Sequence, residues 1–242
     1  METVETYPQR PTGLVLASVI GSAWIFVHVY SVFFHDLSSH FIFTLGLILC
    51  QCWLYTGLFI CAHDAMHGTL APRRPKLNDM IGRVILFYYA GFHFDKMKAA
   101  HMDHHAFPGT EKDPDFNAVN PHKFWPWYFK FFTTYFGVPQ FLTVFAITVA
   151  YLLLGAHYAN TIIMWAVPSV LSSLQLFYFG TYRTHKHGEA FPDHHNARSN
   201  DFPNWVSLLT CFHFGYHHEH HLYPHEPWWG LPSRKRSKET SP

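Results

Sequence analysis

Three stretches of this chain, residues 11–35, 37–63 and 131–182, contain no Lys, Arg, Asp or Glu. A helix needs about 20 predominantly apolar residues to cross the hydrocarbon core of a bilayer. The first two runs each accommodate one span, about residues 14–34 and 41–62. The third is long enough for two, about 138–154 and 161–182, with a turn at GAHYAN (residues 155–160). Composition agrees: charged residues make up only 14% of the chain, against 24 Phe, 13 Tyr and 8 Trp, which is lean for a surface that must face water. The expected fold is an all-α integral membrane protein with four transmembrane helices. Residues 1–242 form one domain, since no repeat or low-complexity linker divides them.

All 17 basic residues lie before the first span, in residues 63–130, or after residue 182. The connections HDLSSH and GAHYAN between paired spans carry none. Basic residues favour the cytoplasmic side, so both termini and both large polar segments are expected there, forming a cytoplasmic helical cap. The first span lacks a strong basic leader and a small-residue cleavage site, so it is expected to stay as an anchor. Two shorter apolar stretches, about 81–94 and 202–216, are too short to span and are expected at the membrane interface. Cys50, Cys52, Cys61 and Cys211 show no CxxC spacing and are expected to be reduced. No glycine-rich phosphate loop is present, and a net charge of +1 gives no reason to expect nucleic acid.

Twenty-one histidines are not explained by burial or solubility, because imidazole serves neither well. Eight fall into three boxes. HDAMH supplies His63 and His67, four apart and on one helix face. HMDHH supplies His101, His104 and His105, and HHEHH repeats that pattern with His217, His220 and His221. Each short apolar stretch leads into a box, so all three are expected to meet near the cytoplasmic membrane surface. A tetrahedral zinc site takes four ligands, and a catalytic one only three. Eight or nine histidines therefore imply two metals, with imidazole alone not choosing among iron, copper, nickel and zinc.

The HxxxH, HxxHH, HxxHH pattern resembles the membrane-bound di-iron desaturase and hydroxylase superfamily. Within it, FICAHDAMHG, AAHMDHHAFPGTEKDPDF, FYFGTYRTHKHG, HNARS and LLTCFHFGYHHEHHLYPHEPWW are similar to the bacterial and cyanobacterial β-carotene ketolases, over about residues 12–232. The resemblance implies two iron ions, dioxygen as co-substrate, and oxidation of β-carotene at C4 of the β-ionone ring to echinenone and canthaxanthin. It also implies a bacterial inner or cyanobacterial membrane as the location. Matched onto the boxes, the ligands are His63, His67, His101, His104, His105, His217, His220 and His221. A ninth often comes from shortly before the third box, and His185 is the choice, with His187, His194 and His195 as competitors. Asp64, Asp103 and Glu219 lie inside boxes and are candidates to orient ligating imidazoles, the alternative being solvated charges at helix starts.

Oxygenation needs external electrons, and the chain has no Rossmann or flavin fingerprint to hold their source. The resemblance implies a ferredoxin-type donor, for which Arg73, Arg74, Lys76 or the tail Arg234, Lys235, Arg236 and Lys238 are candidate docking charges; topology or anionic lipid also explains them. The carotenoid is expected to enter from lipid into an aromatic slot drawn from Phe92, Phe94, Phe107, Phe116, Trp125, Trp127, Phe177, Tyr178, Tyr182, Phe212, Phe214, Trp228 and Trp229. The competing readings are a carotenoid hydroxylase or fatty-acyl desaturase with the same iron site. A membrane metal carrier or haem protein is a rival from another class, although haem ligands belong within facing spans rather than outside them.

Overall fold

The computed structural model describes residues 11–38, 40–188 and 190–239, with no strand among them. The uncharged runs become helices. Helix α1 is Thr12–Phe34 and α2 is Phe41–Met66, each apolar enough to cross a membrane. Just after α1 the Ser38 backbone N–H donates to Asp36 Oδ1 at 2.8 Å. Helices α3, Pro75–Ala90, and α4, Phe94–Ala106, follow. Next come α5, Phe124–Tyr135, and α6, Val138–Leu153, bent against each other by 77°. Helix α7, Tyr158–His185, is again long enough to span. Three short helices finish the chain: α8 Asn204–Cys211, α9 His217–Leu222 and α10 Leu231–Glu239.

Three helices are thus long and apolar enough to span singly, and a fourth span exists if α5 and α6 act as one. The expected third span at 138–154 coincides with α6. Large apolar side chains on these helices point outward, among them Phe26, Ile42, Phe141 and Phe145, as lipid rather than water would permit. Helix α3 shows the interfacial pattern: Met80, Val84, Phe87 and Tyr88 are exposed on one stripe, and Leu86 and Tyr89 are buried. Pro75 in its first turn and Gly91 in the left-handed region at φ 69° mark its ends, since proline suits a helix start and glycine tolerates that φ.

Length places the first histidine box. At about 1.5 Å per residue, the 26 residues of α2 rise about 39 Å, more than the roughly 30 Å of hydrocarbon. His63 falls in the last turn, about 33 Å along, where the helix leaves the apolar zone. Histidines toward the other end pair locally: His35 Nε2 with Thr44 Oγ1 at 2.8 Å, and His28 Nε2 with Tyr151 OH at 3.0 Å while stacked on Trp24. The four cysteines are free.

The segment before α9 is held by shape. Phe212 and His213 have φ of 48° and 62°, a left-handed conformation that costs non-glycine residues free energy. The reversal seats two phenyl rings against glycines. A methyl group on Gly57 would lie 2.5 Å from Phe212, and one on Gly180 would lie 2.4 Å from Phe214. Gly180 sits where α7 widens into a π turn at Phe177–Tyr182. Those two contacts hold the segment before α9 against α2 and α7.

Candidate metal centre

All nine histidines singled out from the sequence meet in two groups. His63, His67, His101, His105 and His220 have ring nitrogens within 4.8 Å of one another, and so do His104, His185, His217 and His221. Each HxxHH box is divided between the groups. Its i, i+4 pair serves one, His101 with His105 or His217 with His221, and its central histidine serves the other. Helical geometry explains the division: residues four apart differ by about 40° around the axis, whereas adjacent ones differ by about 100°. A single helix face therefore looks onto two points, and α4 and α9 do so with reversed emphasis.

The nitrogens converge at a separation suited to one ion per group. Nε2 atoms of His67 and His101 are 2.7 Å apart, and those of His105 and His220 3.0 Å. His221 Nε2 lies 3.2 Å from Nε2 of both His104 and His217. Nitrogens bound at about 2.1 Å to one ion stand about 3 Å apart. His63 Nε2 and His185 Nε2 are buried with no hydrogen-bond partner, which costs free energy in an apolar interior unless a ligand takes the lone pair. The residues present fit a pair of metal ions.

Burial keeps these rings neutral, the form in which imidazole binds metal. It pushes His67 down to about 3 and His105 down to about 2. Burial and neighbouring imidazoles hold His101, His217, His220 and His221 well below the usual histidine value. His104 differs. Burial opposes its charge, but the Asp113 carboxylate outweighs that and raises it.

Asp113 was not among the carboxylates singled out inside the boxes. Its Oδ1 and Oδ2 lie 2.9 and 3.0 Å from His104 Nδ1. It also accepts from the backbone N–H groups of Gly109 and Asp115, both at 2.8 Å. A carboxylate fixed by two amides orients the ring so that Nε2 faces the group. Asp103 stands on the exposed side of α4, because i+2 from His101 is about 200° around the helix. Asp64 is buried, with Oδ1 3.5 Å from His63 Nδ1 and Oδ2 accepting from the Trp228 N–H at 3.1 Å. Glu219 is buried and accepts from the Ser199 hydroxyl. His185 Nδ1 donates to the Asn196 carbonyl at 2.8 Å. Of its competitors, His187 stacks on Phe116. His195 and His218 share Asp193, at 2.9 and 2.8 Å, beside the four-histidine group rather than in it.

A cavity of about 360 Å³ opens beside the two histidine groups. His63, His101, His104 and His217 border it at one end, and Thr161, Ile162 and Trp165 at the other. From Ile162 to Thr181 along α7 is about 28 Å, so the space is long and narrow. Ile162 is 55% exposed on the outer surface of α7, a helix long and apolar enough to span. Of the aromatics expected to line a slot, Phe92 and Phe214 do so; Phe59, Tyr89, Phe131, Phe132, Tyr135, Phe136 and Trp165 supply the rest. Phe116, Trp127 and Phe177 instead form a separate core cluster, and Phe212 and Trp228 belong to the main core. Arg73, Arg74 and Lys76 are exposed. Arg234 pairs with Glu226 and Lys235 with Asp201, while the Lys238 side chain lies outside the described residues.

Spanning helices, histidine boxes at their ends and an apolar cavity between them define a class: the membrane-bound histidine-box metalloproteins. The chain matches the fatty acid desaturase family over residues 38–148 and 134–242. It is 46% identical over 232 residues to a protein named β-carotene ketolase from a Paracoccus strain, covering 95% of each chain. A second Paracoccus protein of that name is 44% identical over 93% of this chain and 92% of its own. A zeaxanthin 4-ketolase from Chlamydomonas reinhardtii is 35% identical over 91% of this chain and 52% of its own. The chain belongs to the fatty acid desaturase family, among the β-carotene ketolases.

Proposed function

We propose that the protein is a β-carotene 4-ketolase, an integral membrane oxygenase that oxidises C4 of the β-ionone ring twice, giving echinenone and then canthaxanthin. The observation that carries this reading is the meeting of nine imidazoles in two groups at the end of a long apolar cavity that reaches lipid. The five-histidine group and the four-histidine group each hold one iron. Bound there, the two irons supply dioxygen activation and the removal of a hydrogen that no acid or base in the chain can abstract.

The chain's own residues do the rest. The aromatic walls take a hydrocarbon ring from the membrane and exclude water. His63, His101, His104 and His217 border the end of the slot, so the ring is presented to the metals. C4 is allylic, which weakens its C–H bond. Each oxygenation replaces one hydrogen by hydroxyl and reduces the other oxygen atom to water, consuming two electrons and two protons. An external donor of the ferredoxin type supplies the electrons at the cytoplasmic face, where the boxes and both termini lie in a four-span topology with a helical cap.

The test is the carotenoid profile of β-carotene-producing cells expressing the chain, together with the metal content of the purified protein. Echinenone and canthaxanthin with bound iron are expected. Zeaxanthin alone, altered acyl chains alone, or zinc without iron would overturn the assignment.

A further inference from the structure

One carboxylate, that of Asp115, stands among the residues lining a largely apolar cavity, with a tyrosine hydroxyl beside it. Asp115 and Tyr135 both line the cavity, and the Tyr135 hydroxyl donates to Asp115 Oδ1. The carboxylate is 14% exposed, and its Oδ2 lies 3.9 Å from His104 Nδ1. That imidazole nitrogen is already committed to Asp113 at 2.9 Å, so Asp115 keeps acceptor capacity beside the ring of a metal-centre histidine. Its backbone is fixed by the N–H donated to Asp113. Lys130, which acts on Asp115 electrostatically, donates to the Pro114 carbonyl. Placing a carboxylate in an apolar slot is costly, and β-carotene offers it nothing to bind.

The first oxygenation changes that. The C4 alcohol carries an O–H donor, as does the geminal diol formed by the second oxygenation. The diol then breaks one O–H and one C–O bond to give C=O and water, without redox change, and the ketone has no donor left. We propose that Asp115, positioned by Tyr135, binds the newly formed C4 hydroxyl and holds the once-oxygenated ring for its second oxygenation. It is thus the residue that makes the product a ketone rather than an alcohol. This inference rests on the ketolase reading and assigns a specificity role within it.

The experiment measures alcohol and ketone released from β-carotene by membranes containing the parent, Asp115→Leu or Tyr135→Phe, with iron content measured alongside. One hydrogen bond to a charged group corresponds to about a tenfold to hundredfold change in retention. The alcohol-to-ketone ratio should rise by that order in Asp115→Leu, and β-carotene consumption should slow far less than ketone formation. Tyr135→Phe keeps the carboxylate and the ring packing, and should move the ratio the same way by less. If Asp115→Leu loses its iron, the Tyr135→Phe ratio decides. An unchanged ratio in iron-replete variants, or equal loss of both oxygenations, overturns the proposal. Failure of the parent to form any C4 product would instead overturn the ketolase reading itself.

Discussion

Replacing Asp113 by asparagine isolates the carboxylate's part in holding a metal. Asp113 accepts three hydrogen bonds: from His104 Nδ1 at 2.9 Å, and from the N–H groups of Gly109 and Asp115 at 2.8 Å each. An amide of the same shape has one acceptor oxygen. If that oxygen takes the Oδ1 place, His104 and Asp115 keep a neutral partner, but the new NH2 faces the Gly109 N–H. One buried donor is then unpaired, which costs about 1–3 kcal/mol. Loss of such a carboxylate typically costs about tenfold to a hundredfold in metal affinity or activity, equivalent to about 1.4–2.8 kcal/mol. Because His104 belongs to the four-histidine group, only that group should be weakened. The assay is iron per polypeptide in detergent-purified protein, with ketone formation in carotenoid-producing cells. Asp113→Asn should fall toward half the parent's iron and lose at least tenfold of its activity. Asp103→Asn, on the exposed side of the same helix, should match the parent. Full iron and activity in Asp113→Asn, or loss in Asp103→Asn, would refute the assignment of this carboxylate.

Acid should release the two metals in order. Protons compete with a metal for each ligand's lone pair; His104 is raised by Asp113, whereas its group partner His185 and the other group's His67 are both held down to about 3, so His104 is the weak point. Dialysis from pH 7 to pH 5 should therefore give a plateau near half the iron, with the four-histidine group emptied first; simultaneous loss of all iron above pH 6 would contradict this. Filling the slot is a separate perturbation. Ser169 lines the cavity and is half-buried, so Ser169→Phe should lower ketone formation by at least tenfold, on the order of a misplaced substrate, with iron unchanged. Parent-level ketone formation would show that the substrate takes another route.

The expectations that came closest to the structure rest on local regularity. Uncharged runs end at helix ends because burying a charge in lipid is expensive, so α1, α2, α6 and α7 follow from composition and length. The HxxHH spacing fixes which side of α4 and α9 the imidazoles occupy. Spacing did not reveal that each box is divided between two groups, since that depends on how the helices cross. The break between α5 and α6 near Gly137, and the rings that line the cavity, depend on packing between distant segments in the same way. The thirteen aromatics chosen for proximity to the boxes mostly fill the core instead, as Trp127 and Phe212 do, while Phe131, Phe132 and Tyr135 reach the slot because α5 folds under α7. The DPDF stretch, residues 113–116, is a turn. Proline at 114 disfavours helix at the preceding residue, and the resulting turn aims Asp113 at His104 and leaves Asp115 on the cavity wall. Two carboxylates two residues apart thus face different partners, one an imidazole of the four-histidine group and one the apolar cavity. A turn, rather than a fourth histidine-bearing helix, is what allows one short segment to serve both.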